Sequence, residues 1–297
     1  MGFLRDHRWT WFGLAGALFL LAMLYFFAAL GWPGKLDEMA APARGTPASD
    51  VTRFESQSVS KYVYGETVDW MAAIRQPVCT WSNLGAIVAG LALLLFLEGR
   101  ARGGESLVAN PMRAASFQSI FYGYLVIFLG SGSMYFHASI TRWGGIVDNL
   151  SMNLYISFIL IYQVARLAGL DLGTAQSRAM TLVLLAVANA LFAVAIWWWN
   201  LSLPIFGVLV ASAVILESVR IIRSIVRPAA GVHFAWWWFV AGLVVFGIAF
   251  LIWKLSQSKT SFLWAPDAPI NGHGVWHLLS AVAAVLFFVH FRSETRA

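Results

Sequence analysis

The sequence predicts an all-α integral membrane protein with about eight spanning helices. Of its 297 residues, 60% are hydrophobic and 11% charged, with a mean hydropathy of +0.72, where soluble domains carry roughly 25% charged residues. The charges fall in connections between apolar runs of about 20 residues, the length that crosses a bilayer. Seven or eight such runs fill the chain and leave no room for a large soluble domain. The net charge of +6 is dispersed over loops, so orientation in a membrane accounts for it and no nucleic acid is expected as a partner. The single cysteine, Cys79, excludes an intramolecular disulfide and a cysteine-rich metal site, and reads as a small buried residue.

In order, the runs are Trp9–Leu30, Thr80–Leu97, Phe117–Phe136, Gly145–Ala165, Met180–Trp198, Leu203–Ile222, Ala235–Trp253 and Val275–Phe291. The first follows Arg5 and Arg8 and ends at Gly31-Trp32-Pro33 without a clear small-residue cleavage site, so it reads as a retained helix. A long connection rich in Ala, Pro, Gly, Ser and Thr follows, read as a solvated external segment with a short helix near Val68–Ile74. Trp197 to Trp199 close the fifth run and Trp236 to Trp238 open the seventh, where indole rings suit the headgroup region.

With the amino terminus in the cytoplasm, the even-numbered connections and both tails carry 12 of the 20 Lys and Arg residues, in line with the positive-inside bias. Lys35, Arg44, Arg53, Lys61 and Arg75, five of the other eight, lie in the long first connection, where that bias is weaker. Both termini are therefore expected in the cytoplasm.

Ionisable groups inside a membrane are costly, and each asks for a reason. Glu98, just ahead of Arg100, and Glu217, three residues before Arg220, read as interfacial or ion-paired side chains. Asp148 has no such neighbour. It follows by eleven residues the stretch Gly130-Ser131-Gly132-Ser133-Met134-Tyr135-Phe136-His137, in which Ser133 and His137 share a face at the outer end of the third run. At the start of the eighth run, Asn271-Gly272-His273-Gly274-Val275-Trp276-His277 sets two imidazoles one turn apart, a spacing that can grip one metal ion. Span parity puts His137, Asp148, His273 and His277 in one layer on the external side. His7 and His233 belong to the other side, and His290, thirteen residues past His277, lies about 20 Å down the helix. Three histidines and an open position make the donor set of a catalytic zinc site.

These two stretches, with Gln76-Pro77-Val78-Cys79-Thr80-Trp81-Ser82-Asn83-Leu84 at the second run, resemble the alkaline ceramidase family, particularly its bacterial members. That family belongs to a superfamily of seven-helix membrane hydrolases that includes the adiponectin and progestin receptors. The resemblance covers about residues 69–293 and implies a seven-helix ceramidase-like bundle plus one extra N-terminal transmembrane helix. The division it implies is a helix over 1–32, an external loop over 33–76 and the membrane domain over 77–297. It also implies Zn2+ on His137, His273 and His277, Ser133 and Asp148 as catalytic partners, a bacterial plasma membrane, and hydrolysis of ceramide to sphingosine and a fatty acid. Animal members carry an acidic calcium-binding segment ahead of the second run. Here Asp69-Trp70 precedes Met71-Ala72 in place of a Cys-Glu pair, Gln76 replaces a glutamate, and Cys79 stands where many have asparagine. These departures argue against calcium.

On this reading Asp148 is the base toward water and then the proton donor to the leaving amine, and Ser133 steadies the oxyanion or the water. The plain alternative for Ser133 is helix packing, as for Gly130 and Gly132. Ser82 and Asn83 either support the ligands or pack helices. The alternative for the whole protein is a receptor-like or lipid-sensing membrane protein with a structural zinc site. A transporter is not indicated, because no pair of broken spans stands in corresponding halves.

Overall fold

Among the described residues of the computed structural model, eight helices are long and apolar enough to cross a membrane, and they make the chain a multi-pass α-helical membrane protein. The structure describes residues 7–33, 62–102, 110–226 and 232–296; most of the long first connection lies outside them. The helices are α1 (Arg8–Leu30), α2 (Pro77–Ser82), α3 (Leu84–Arg102), α4 (Phe117–Ser139), α5 (Arg142–Leu167), α6 (Ala175–Trp199), α7 (Ser202–Val226), α8 (Trp237–Ser256) and α9 (Gly272–Ser293). The short helix α2 and the longer α3 form one span with a step at Asn83. That span starts at Pro77 rather than at Thr80, because proline's missing N–H costs nothing in a first turn.

Helix ends are set by local chemistry. Ser116 accepts from the amides of Gln118 and Ser119 in a capping box that starts α4, and Thr141 and Asn271 cap α5 and α9. Ile140 in the left-handed region closes α4 three residues after His137. The innermost helix is α4, packed against α1, α3, α5 and α9. Glycines permit that closeness: a Cβ at Gly90 would lie 2.7 Å from the Gly123 carbonyl oxygen, and one at Gly130 would lie 2.6 Å from that of Asn83. Large apolar side chains left uncovered by protein, such as Phe12, Phe19, Leu191, Val208 and Ile215, form the lipid-facing surface.

The described end of the first connection does not stand off in solvent as the sequence suggested. Strands β1 (Tyr62–Val63) and β2 (Glu66–Thr67) form an antiparallel hairpin whose two turn residues, Tyr64 and Gly65, both have positive φ. A Cβ on Gly65 would lie 2.6 Å from the Ser256 carbonyl oxygen, so only glycine lets the hairpin dock on the end of α8. Thr67 then pairs with Pro266 and Asp267. The short helix expected near Val68–Ile74 is instead a turn, because the Asp69 carboxylate takes the amides of Met71 and Ala72. At the far end, β3 (Val232–His233) pairs with β4 (Thr295–Arg296).

The extra helix α1 lies against α3 and α4. Tyr124 and Tyr135 donate to the Trp9 and Leu20 carbonyls at 3.0 and 2.7 Å. Glu98, read as an interfacial side chain, is buried. Its carboxylate accepts from the Thr10 amide at 3.1 Å, from the Thr10 hydroxyl at 2.6 Å and from the Trp9 amide, so a residue of α3 serves as the N-terminal cap of α1. Glu98→Leu is therefore expected to cost about 1–3 kcal/mol of stability, read as a lowered unfolding midpoint in detergent.

Candidate metal centre and cavity

Four helix ends meet at the end of the bundle where α4 stops and α2, α5 and α9 begin. His137 comes from the last turn of α4, His273 and His277 from the first two turns of α9. Their ring centroids are 4.8 Å (His137 to His273), 5.1 Å (His137 to His277) and 4.5 Å (His273 to His277) apart. All three rings are buried. Imidazoles at this spacing, away from water, need a shared cation or hydrogen-bond partners.

Hydrogen bonds orient the rings. The Gln76 Oε1 carbonyl lies 2.7 Å from His137 Nδ1 and can only accept, so Nδ1 carries the proton and Nε2 the lone pair. The Gln76 amide is itself anchored, its Nε2 donating to the Glu66 carbonyl at 3.2 Å. Ser82 Oγ donates to the Cys79 carbonyl and lies 2.8 Å from His277 Nδ1, and Asn83 Nδ2 lies 3.2 Å from the same nitrogen, while His277 Nε2 is 3.4 Å from Ser133 Oγ. Asn83 closes the same side, donating to the Cys79 carbonyl at 2.8 Å. His273 Nδ1 is buried without a hydrogen-bond partner among the described residues.

The sequence did not reveal what holds this end together. Glu66, counted among the residues of a solvated loop, is buried and receives the Val78 and Cys79 amides at 2.8 Å each, capping α2 from a distance. The backbones of Arg75 and Gln76 donate to the carbonyls of Ala138 and His137, and the Arg75 guanidinium to that of Ser139, so the segment satisfies the open end of α4. Burial pushes the Arg75 pKa down from its ordinary value. Cys79, read as a plain buried residue, brings its sulfur beside the imidazoles. Cys79, His137 and His273 each offer a donor atom, all within 4.8 Å of one another, and this buried group can hold a metal ion. The orphaned His273 nitrogen and the nitrogen and sulfur donor set both fit such an ion.

Beyond the imidazoles a cavity runs between α4, α5, α7, α8 and α9. Ser133, Asp148 and His277 line its near end, and Gln163 and Phe291 are among the residues lining its far end. The structure thus brings His137, His273 and His277 together, sets Ser133 against His277, and gives Asp148 a place on the same cavity.

Across residues 73–295 the chain matches the family model described as Ceramidase. It belongs to the ceramidase family. A search of curated proteins finds no match. Membership in the ceramidase family supports a membrane-embedded hydrolase acting on an amide, with a lipid as substrate.

Because Gln76 sets the tautomer of one imidazole, Gln76→Leu is expected to weaken binding of a divalent metal about 10–100-fold in a chain that still folds. Competition with a chromophoric chelator measures this, and unchanged affinity would remove Gln76 from any role in the centre.

Proposed function

We propose that the protein is a zinc-dependent intramembrane amide hydrolase that cleaves ceramide or a related N-acyl lipid to a long-chain amine and a fatty acid. The observation that carries this reading is a cluster of three buried imidazoles opening, through His277, on a cavity that also holds Ser133 and Asp148. His137, His273 and His277 would hold the ion, which when bound supplies Lewis acidity toward the amide carbonyl and toward water.

The remaining work falls to side chains. The Asp148 carboxylate takes a proton from the attacking water as the new carbon–oxygen bond forms. It returns that proton to the amide nitrogen as the carbon–nitrogen bond breaks, releasing amine and carboxylic acid. The Ser133 hydroxyl, beside His277, donates to the carbonyl oxygen as it gains charge. Gln76 keeps His137 in the tautomer that presents Nε2, and Ser82 and Asn83 position the His277 ring. The apolar cavity walls hold the lipid chain and exclude water from the reacting amide.

Asp148→Asn is expected to keep zinc and fold while hydrolysis drops about 10²–10⁴-fold, mainly in kcat. His277→Ala is expected to lose the metal, whereas His290→Gln, far along α9, keeps it. Lipid-amide hydrolysis per zinc-loaded folded molecule is the readout. Near-normal kcat in Asp148→Asn would defeat the mechanism and favour a lipid-sensing protein with a structural zinc site.

The resemblance to bacterial members of the family supports a bacterial plasma membrane, and the charge bias of the loops supports both termini in the cytoplasm with the centre toward the external side. A cysteine placed at Arg142 should then react with an impermeant thiol reagent added to intact cells. Labelling only after lysis would reverse the orientation.

A further inference from the structure

The far end of the cavity takes no part in the chemistry proposed for the near end, yet it is built with care. Along α5 the lining runs from Asp148 to Gln163, and along α9 from His277 to Phe291, about 22 and 21 Å at a helical rise of about 1.5 Å per residue. The walls between are apolar, including Met152, Ile156, Ile159, Val210, Leu243 and Phe287. Tyr155 also reaches the cavity, but its hydroxyl is engaged by Tyr122 at 2.6 Å.

The floor is of another kind. Gln163 is buried, with Nε2 3.1 Å from the Ala213 carbonyl oxygen and 3.3 Å from Glu217 Oε2, while its Oε1 meets no donor among the described residues. Behind it Glu217 Oε1 accepts from Arg220 Nε at 2.8 Å and pairs with His290 Nε2 at 2.7 Å. Arg220 continues to Glu294 at 2.6 Å, and Arg166 pairs with the other oxygen of Glu294. Gln163 is therefore a polar cap fixed to a buried ionic network.

A chain entering from the bilayer exchanges one apolar surrounding for another, so each added methylene changes binding little until the terminal methyl meets Gln163. One more carbon has to push the amide off Glu217 and strip a donor from a buried carboxylate, which sharply weakens binding. A chain of tetrahedral carbons with bonds of about 1.5 Å advances about 1.3 Å per carbon, so about 16 carbons fill the distance. We propose that Gln163, braced by Glu217, is the stop that sets the longest acyl chain the protein accepts, at about 16 carbons. This assignment rests on the reading of the site as a lipid amidase.

The test uses the full chain in nanodiscs with two ladders: hydrolysis of N-acylsphingosines of graded saturated acyl length, and displacement of a fluorescent fatty acid by fatty acids of the same lengths. Both ladders should stay nearly level to about 16 carbons and then fall about tenfold within a few more. Gln163→Ala should move the break up by about two to three carbons. Ala213→Phe, which fills the cavity beside Gln163, should move it down, and it decides the matter should Gln163→Ala fail to fold. The same break in all three proteins, no break at all, or a break that follows the length of the sphingoid base would overturn the proposal. A binding ladder that shifts as described without any hydrolysis would keep the stop and refute the amidase.

Discussion

The hydrogen bond from His137 Nδ1 to Gln76 is the contact on which the rest of the candidate metal centre depends. In a bilayer no water is at hand to satisfy a stray ring nitrogen, so each polar atom must find its partner inside the protein. Gln76 meets that demand, and by doing so it also fixes which nitrogen His137 can give to an ion. Its own amide leans on the Glu66 backbone, and the Glu66 carboxylate caps α2 and so seats Ser82 and Asn83 against His277. The hairpin that ends the first connection is thus a structural part of the centre rather than a tether.

Polar chemistry is concentrated at the two ends of an apolar cavity, and its cost differs between them. At the imidazole end the buried side chains are ones that could share a metal ion. At the other end Arg166, Glu217, Arg220, His290 and Glu294 form a buried network. Such a network adds little net stability, because desolvation offsets the Coulomb attraction, while breaking one partner costs about 3–5 kcal/mol. That asymmetry makes it stiff and locks α5, α7 and α9 together behind Gln163.

What the sequence made legible depended on periodicity and parity. Apolar runs located the spans, and parity alone placed His137, His273 and His277 in one layer, where their rings do meet. Partners joined by unrelated stretches of chain stayed hidden. Glu98 lay near Arg100 and Glu217 near Arg220, so local pairing seemed to explain both. Glu217 does pair with Arg220, yet it also pairs with His290, 73 positions away, and Glu98 reaches across to α1. Gln76 drew notice only as a replaced glutamate, and Cys79 only as a lone thiol, because nothing in their neighbours states that α4 ends beside them. Register between distant helices is set by shape, as at Gly130 against Asn83, and single-sequence patterns do not record it.

The cap that Glu98 places on α1 bears on the order of assembly. Helix α1 is made before α3, and the carboxylate that receives its leading amides arrives 88 positions after Thr10. Until α3 is inserted, those amides must rely on headgroups and water, so α1 can enter the membrane early yet lock into place only after its neighbours exist. The dependence runs both ways. A chain shortened to begin after α1 would keep the three clustered imidazoles, but it would present Glu98 to lipid with no donors from α1. Trimming this protein to its seven-helix portion therefore calls for a neutral residue at position 98.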